Sequence, residues 1–208
     1  VEVLGVQGEP AEAEAVARAV AALDAGGLLI YPTDTLYALG GRALDPAAGR
    51  MVREAKGREA KPLPVIASDL GQVARLAAEV PPAVLRLADR FWPGPLTVIL
   101  ASGPEVPEEV TAGTATVAVR VPGLALARRL CGATGPLIST SANAAGQPPP
   151  TTCAEAIAGV GRAAALALDA GPGRPVPSTI VDLTGTPPRL VRPGAVAWAD
   201  VLASLRTG

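Results

Sequence analysis

Gly26-Gly27-Leu28-Leu29-Ile30-Tyr31-Pro32-Thr33-Asp34-Thr35 is the stretch that decides the fold class. The glycine pair stops the Ala-rich run that Glu9-Pro10 opens, because Pro is tolerated in a first helical turn and Gly accepts the left-handed stop. Leu28 to Tyr31 is an unbroken apolar run of strand length and reads as a buried strand. Pro32 to Thr35 then leaves that strand in a polar turn. A helix feeding a buried strand that ends in hydroxyls is an α/β signature, and ligands of α/β sheets gather at such strand ends.

Outward from this unit the alternation continues. Asp45-Pro46 is a capping Asp followed by Pro at the first helical position, and the helix it opens should run to about Lys56, with Gly57 as its stop. Further helices are expected after Ser68-Asp69, over Pro81–Phe91 up to the breaker Trp92-Pro93-Gly94-Pro95, over Gly123–Leu130, after the stiff Pro148-Pro149-Pro150 connector, and over Trp198–Leu205. Strands are expected at Leu63–Ala67, Leu96–Leu100, Thr116–Val121, Leu137–Ser139, Ala165–Leu168, Ser178–Leu183 and Arg189–Arg192. The pattern predicts one α/β (α+β) domain over residues 1–208, with a twisted open mixed sheet flanked by helices.

Composition narrows the chemistry. Nearly half of the 208 residues are apolar and only 2% are aromatic, so Leu, Val, Ile and Ala fill the core. The formal charge of -1 leaves no basic stripe for gripping nucleic acid, whereas a small anionic ligand needs only a few placed cations. The absence of histidine excludes Ser-His-Asp and Cys-His catalysis, His-ligated zinc and imidazole acid–base chemistry. Cys131 and Cys153 form no CxxC, which suits free thiols in a cytoplasmic protein. No apolar run has the length or continuity of a signal peptide or membrane span. Neither a P-loop nor a GxGxxG followed by a helix occurs.

Rare residues mark the candidate site. Both lysines, Lys56 and Lys61, fall within Lys56-Gly57-Arg58-Glu59-Ala60-Lys61 in a chain that otherwise uses Arg. Lys supplies a point charge and Arg a bidentate fork for phosphate, although a solvated basic helix end would use the same residues. The sole asparagine, Asn143, closes Ser139-Thr140-Ser141-Ala142-Asn143, a hydroxyl-rich turn able to hold phosphate or ribose, or merely its own backbone. Both tyrosines flank the turn of Thr33 to Leu36. Strand alternation puts Thr116, Ala118 and Arg120 on one face, where a buried Arg is costly unless it meets an anion. Arg192 likewise ends a strand, and Ser178-Thr179 begins one.

Together these segments resemble the threonylcarbamoyl-AMP synthase family, also called YrdC or TsaC. The resemblance rests on Tyr31 to Gly40, Lys56-Gly57-Arg58, Lys61-Pro62-Leu63, Trp92 to Thr97, Val119 to Pro122, Ser139 to Asn143, Ser178 to Asp182 and Arg192-Pro193-Gly194, which follow one another in the family's order. It implies a large concave cavity in a motif-bearing core of about residues 10–195. It implies that Lys56, Arg58, Thr116, Ser141, Asn143 and Arg192 hold the nucleotide, Lys56 and Arg58 being the catalytic cations. Thr35, Arg120, Ser139 and Ser178 would bind L-threonine, with Arg120 on its carboxylate. The implied reaction joins L-threonine, bicarbonate or CO₂ and ATP, accompanied by Mg²⁺, into threonylcarbamoyl-AMP for downstream tRNA-modification transferase proteins, with at most weak contact to tRNA and none to membrane.

This sequence departs from the family pattern in three places. The spacing from Arg58 to Lys61 is one residue short, Ala145-Gly146 stands where Ser-Gly is usual, and Pro149 replaces a later Ser. Two other readings of the same residues are a non-catalytic RNA-binding module and a carbamoyl-transfer domain that forms carbamoyl-adenylate. The acidic balance and scarce aromatics oppose the first. The second would be expected in chains with further domains that supply carbamoyl phosphate.

Overall fold

The computed structural model describes residues 1–57 and 61–206. The elements run β1 (Glu2–Gly5), α1 (Glu9–Asp24), β2 (Leu28–Pro32), β3 (Tyr37–Gly40), α2 (Pro46–Lys56), β4 (Val65–Ile66), α3 (Leu70–Leu76), α4 (Pro82–Phe91), β5 (Leu96–Ala101) and α5 (Glu108–Thr111). They continue β6 (Thr116–Arg120), α6 (Ala125–Thr134), β7 (Leu137–Ile138), β8 (Thr140–Ser141), α7 (Cys153–Val160), β9 (Ala164–Asp169), β10 (Thr179–Asp182), β11 (Arg189–Arg192) and α8 (Trp198–Arg206). The α/β class and the mixed pairing expected from the sequence are both present.

The strands form two sheets rather than one. The first has the order β1-β9-β2-β3-β8 and the second the order β11-β10-β5-β6-β4-β7. Each combines parallel and antiparallel neighbours: β2 runs parallel to β9 and antiparallel to β3, and β5 runs parallel to β10 and antiparallel to β6. The division arises in Leu137–Ser141, which the sequence presents as a short strand over Leu137–Ser139 running into a hydroxyl-rich turn. Leu137 and Ile138 pair with β4 in the second sheet, and Thr140 and Ser141 pair with β3 in the first. Ser139 between them donates its N–H to the Pro64 carbonyl at 2.7 Å. The chain thus changes partner within a single residue, a step that leaves no trace in apolar periodicity.

Gly40 permits the close approach at this crossing. A Cβ there would lie 1.7 Å from the Ile138 carbonyl oxygen, and the next residue, Gly41, accepts the Ile138 N–H at 2.9 Å. Strand β2 explains its own apolar run: Leu28 and Ile30 face the core shared with the second sheet, and Leu29 and Tyr31 face α1 and α6. With both faces covered, alternation is not required.

Helix ends are set as the sequence predicts. The Asp45 side chain accepts the Ala47 N–H at 2.8 Å, and Pro46 occupies the first turn of α2. Gly57 takes φ 59°, a left-handed stop that a side chain would strain, so α2 ends at Lys56. Asp69 caps α3 through the Gln72 N–H at 3.0 Å. The short strands β1, β3 and β8 and the one-turn α5 were not expected. β1 is largely exposed and lacks an apolar signal, and β3 follows its hairpin partner after only four turn residues.

Candidate functional site

A cavity of about 470 Å³ opens between the two sheets, lined by Thr33 and Thr35–Ala38, the last turn of α2, Lys61–Ile66, Ser139–Ser141 with Asn143, and the ends of β5, β6 and β11. That volume lies within the roughly 300–1,000 Å³ range of small-molecule sites. Arg53, Lys56, Lys61, Arg120 and Arg192 all contribute to its wall, and among the described residues of that wall there is no carboxylate. A chain close to neutral overall therefore concentrates positive charge in one hollow, the arrangement that captures an anion.

Arg120 ends β6 and is 5% exposed. Its Nη2 donates to Asp34 Oδ1, and its Nη1 donates to Thr35 Oγ1 at 3.2 Å. Its Nε is buried with no acceptor. Burial pushes the guanidinium down from its usual range, and the Asp34 carboxylate opposes that shift. An orphaned buried N–H costs about 1–3 kcal/mol, so a carboxylate or phosphate oxygen entering the cavity would relieve a standing penalty. The turn that presents Thr35 is tied by its own hydroxyls: Thr33 Oγ1 donates to the Leu36 carbonyl at 2.7 Å and accepts the Thr35 N–H at 3.2 Å.

Arg192 closes the opposite side. Its Nη2 donates to the Ser178 carbonyl at 2.7 Å and lies 3.1 Å from Ser178 Oγ. Burial pushes its guanidinium pKa down from the usual range, and the positive charge of Arg120 pushes it down further. Two guanidiniums that repel one another across a cavity favour an anion between them. Ser178 Oγ also meets Thr97 Oγ1 at 2.8 Å. This pairing follows from the parallel register of Leu96 with Thr179 and from the preceding turn, where Trp92 Nε1 donates to the Leu96 carbonyl at 2.6 Å.

Lys56 is 2% exposed and points inward from the end of α2. Its ammonium donates to the Ser141 carbonyl, to the Asn143 carbonyl at 2.8 Å and to Asn143 Oδ1 at 3.2 Å. Ser141 Oγ donates to the same Oδ1 at 2.6 Å, and Asn143 Nδ2 donates to the Gln147 carbonyl at 2.5 Å. The lysine thus organises the Ser-Ala-Asn turn from beneath.

Of the residues singled out from the sequence, Thr35, Lys56, Arg120, Ser139, Ser141, Asn143, Ser178 and Arg192 share this one cavity, as does Lys61. Thr116 does not. It begins β6, pairs with Ala101 and shares a hydroxyl contact of 2.8 Å with Thr114. It occupies the same strand face as Arg120 but the opposite end, and alternation fixes a face without fixing an end. Arg58 lies outside the described residues. Sequence reasoning missed Asp34 as the counter-ion of Arg120, Thr97 as the partner of Ser178, and Arg53 in the wall. Asp34 and Thr97 sat within quoted motifs without a role, and for Arg53 the only signal was its position one turn before Lys56.

Comparison with known proteins agrees with this geometry. The Sua5/YciO/YrdC family model, described as telomere recombination, matches residues 21–194. The threonylcarbamoyl-AMP synthase of Pyrococcus abyssi is 40% identical over 179 residues, covering 85% of this chain and 53% of that protein. The chain therefore spans about half the length of this relative. The threonylcarbamoyl-AMP synthase of Alkalilimnicola ehrlichii is 39% identical over 160 residues, covering 76% of this chain and 83% of that protein. The crystal structure of P. abyssi Sua5 complexed with L-threonine superposes with a TM-score of 0.93 at 36% identity, covering 98% of this chain and 61% of that one. A family match over most of the chain, with the fold and its cavity, establishes that this chain belongs to the Sua5/YciO/YrdC family.

Proposed function

We propose that this chain is a threonylcarbamoyl-AMP synthase. The amine of L-threonine adds to CO₂, or to bicarbonate with loss of water, and gives a carbamate. A carbamate oxygen attacks the α-phosphorus of ATP, forming threonylcarbamoyl-AMP as the bond to pyrophosphate breaks. The observation that carries this reading is the convergence of Arg120, Arg192 and Lys56 with the hydroxyls of Thr35, Ser141 and Ser178 around one hollow with no carboxylate among its described wall residues. Relatives of the same name and the threonine-bound homologue support it.

The substrate supplies the nucleophile, so the protein needs no activated Ser or Cys, in keeping with a chain without histidine. The residues instead position the reactants and stabilise charge. Arg120 would take the threonine carboxylate, with Thr35, Ser139 and Ser178 beside it. The turn of Ser141 and Asn143, set by Lys56, would receive the nucleotide together with Arg58 and Arg192. Mg²⁺ would enter as part of the ATP substrate, because no carboxylate among the described wall residues fits a hard cation and the phosphate oxygens do. Enclosure would also protect the carbamate from water. The product would pass, in the cytoplasm, to a transferase that modifies tRNA.

The test is pyrophosphate release from ATP by the purified chain. Release that requires both threonine and bicarbonate is expected. ATP turnover indifferent to threonine, or absent, would overturn the reading.

A further inference from the structure

Arg53 lines the cavity without any role in the reading above. It lies in the last turn of α2, three residues before Lys56, so both side chains leave the helix on one side. Its Nε donates to the Glu109 carbonyl in α5 at 2.7 Å. That bond fixes the plane of the guanidinium against a backbone atom. The far end is different: Nη2 is shielded from water and has no acceptor among the described residues. The other cavity arginines are satisfied at that end, Arg120 by Asp34 and Thr35, and Arg192 by Ser178.

A guanidinium anchored at Nε with Nη2 unclaimed is a preorganised, charge-assisted donor for a phosphate oxygen. We propose that Arg53 is a polyphosphate-binding residue of this cavity and grips the anion on the α2 side, next to the turn held by Lys56. The inference rests on the nucleotide reading for its ligand and adds a cation that the sequence motifs did not include. It also predicts that Arg53 holds the leaving pyrophosphate, since the same oxygens remain after the reaction.

The test compares the unaltered chain with Arg53→Met and with Arg50→Ala as a control. Arg50 bonds the Glu109 carboxylate at 2.5 Å on the exposed side of α2 and does not line the cavity. Calorimetric binding of inorganic tripolyphosphate and of pyrophosphate is measured, with the ATP and threonine KM values and thermal unfolding. Arg53→Met should weaken both anions and raise the ATP KM about tenfold, the loss expected for one charge-assisted contact. The threonine KM and the Arg50→Ala values should stay unchanged. Anion affinities in Arg53→Met equal to those of the unaltered chain would overturn the proposal, as would failure of the unaltered chain to bind either anion. Weakened anion binding by Arg53→Met, in a chain with no threonine-dependent turnover, would uphold Arg53 while overturning the synthase reading.

Discussion

Asp34 and Arg120, 86 residues apart in the chain, form an ion pair beside the cavity, and the neighbouring Thr35 takes a second nitrogen of the same guanidinium at 3.2 Å. The Arg120 side chain is 6% exposed, so the pair sits where charge is poorly solvated. Asp34→Asn strands that guanidinium. Breaking a buried pair from one side costs about 3 kcal/mol or more. The variant should therefore lose about that much stability in urea unfolding and show a higher threonine KM. Arg120→Ala should raise the threonine KM more steeply while leaving the ATP KM nearly untouched. An unchanged threonine dependence in both variants would make Arg120 purely structural.

Lys56 joins the end of α2 to the Ser141–Asn143 turn through two carbonyls and an amide oxygen. Lys56→Met keeps the length and removes the charge, leaving those acceptors buried without their donor. A stability loss of about 2 kcal/mol is expected, together with loss of pyrophosphate release by two to three decades. Lys56→Arg should not restore activity, because a planar fork cannot replace a compact ammonium among converging carbonyls. Calorimetry paired with the release assay checks both halves. Full stability with activity lost would move Lys56 from clamp to direct phosphate contact.

Gly40 carries the tightest approach between the sheets. In Gly40→Ala the new methyl would meet the Ile138 carbonyl oxygen far inside contact distance. The obstacle is backbone in the middle of the crossing, not the end of a flexible side chain. The variant should be recovered poorly and unfold with a midpoint lowered by 10 °C or more, roughly the shift for a loss above 3 kcal/mol in a domain of this size. Circular dichroism melting decides this.

The thiols give a signed pH prediction. Burial pushes the Cys131 thiol up to about 12 and the Cys153 thiol up to about 11. In the unfolded chain both titrate near 8.5. Between those values the folded state retains protons that the unfolded state releases, so stability falls as pH rises. The thiol contribution should be flat below about pH 8 and decline from about 8.5 toward 11, as denaturant titrations across that alkaline range would show. Cys131→Ala should shallow that decline. Alkylation at pH 8 should be slow at Cys131 in the native protein and rapid after unfolding.

The sequence disclosed elements with strong local chemistry and was silent on those created by long-range pairing. Asp45-Pro46 and Gly57 bound α2 because a capping carboxylate, a preset φ and a left-handed glycine act within a few residues. β8 was invisible because Thr140-Ser141 becomes a strand only when β3 lies beside it. The same distinction runs through the site. The residue scarcity of Lys56 and Asn143 pointed to one cavity, and their hydrogen bonds across 87 residues now join them. Asp34 had no such signal, since a turn aspartate looks alike whether it meets water or a buried guanidinium. Thr116 shows what periodicity leaves open: alternation puts it on the face of Arg120 but does not say how far along β6 it lies.

The five residues from Leu137 to Ser141 act as a rivet through both sheets. Where the halves share this continuous backbone they cannot part without tearing rungs from one sheet or the other. If the hollow takes an amino acid as proposed, selection by size would fall to the fixed contour of the wall, and enlarging the accepted substrate would call for carving individual side chains rather than loosening a hinge.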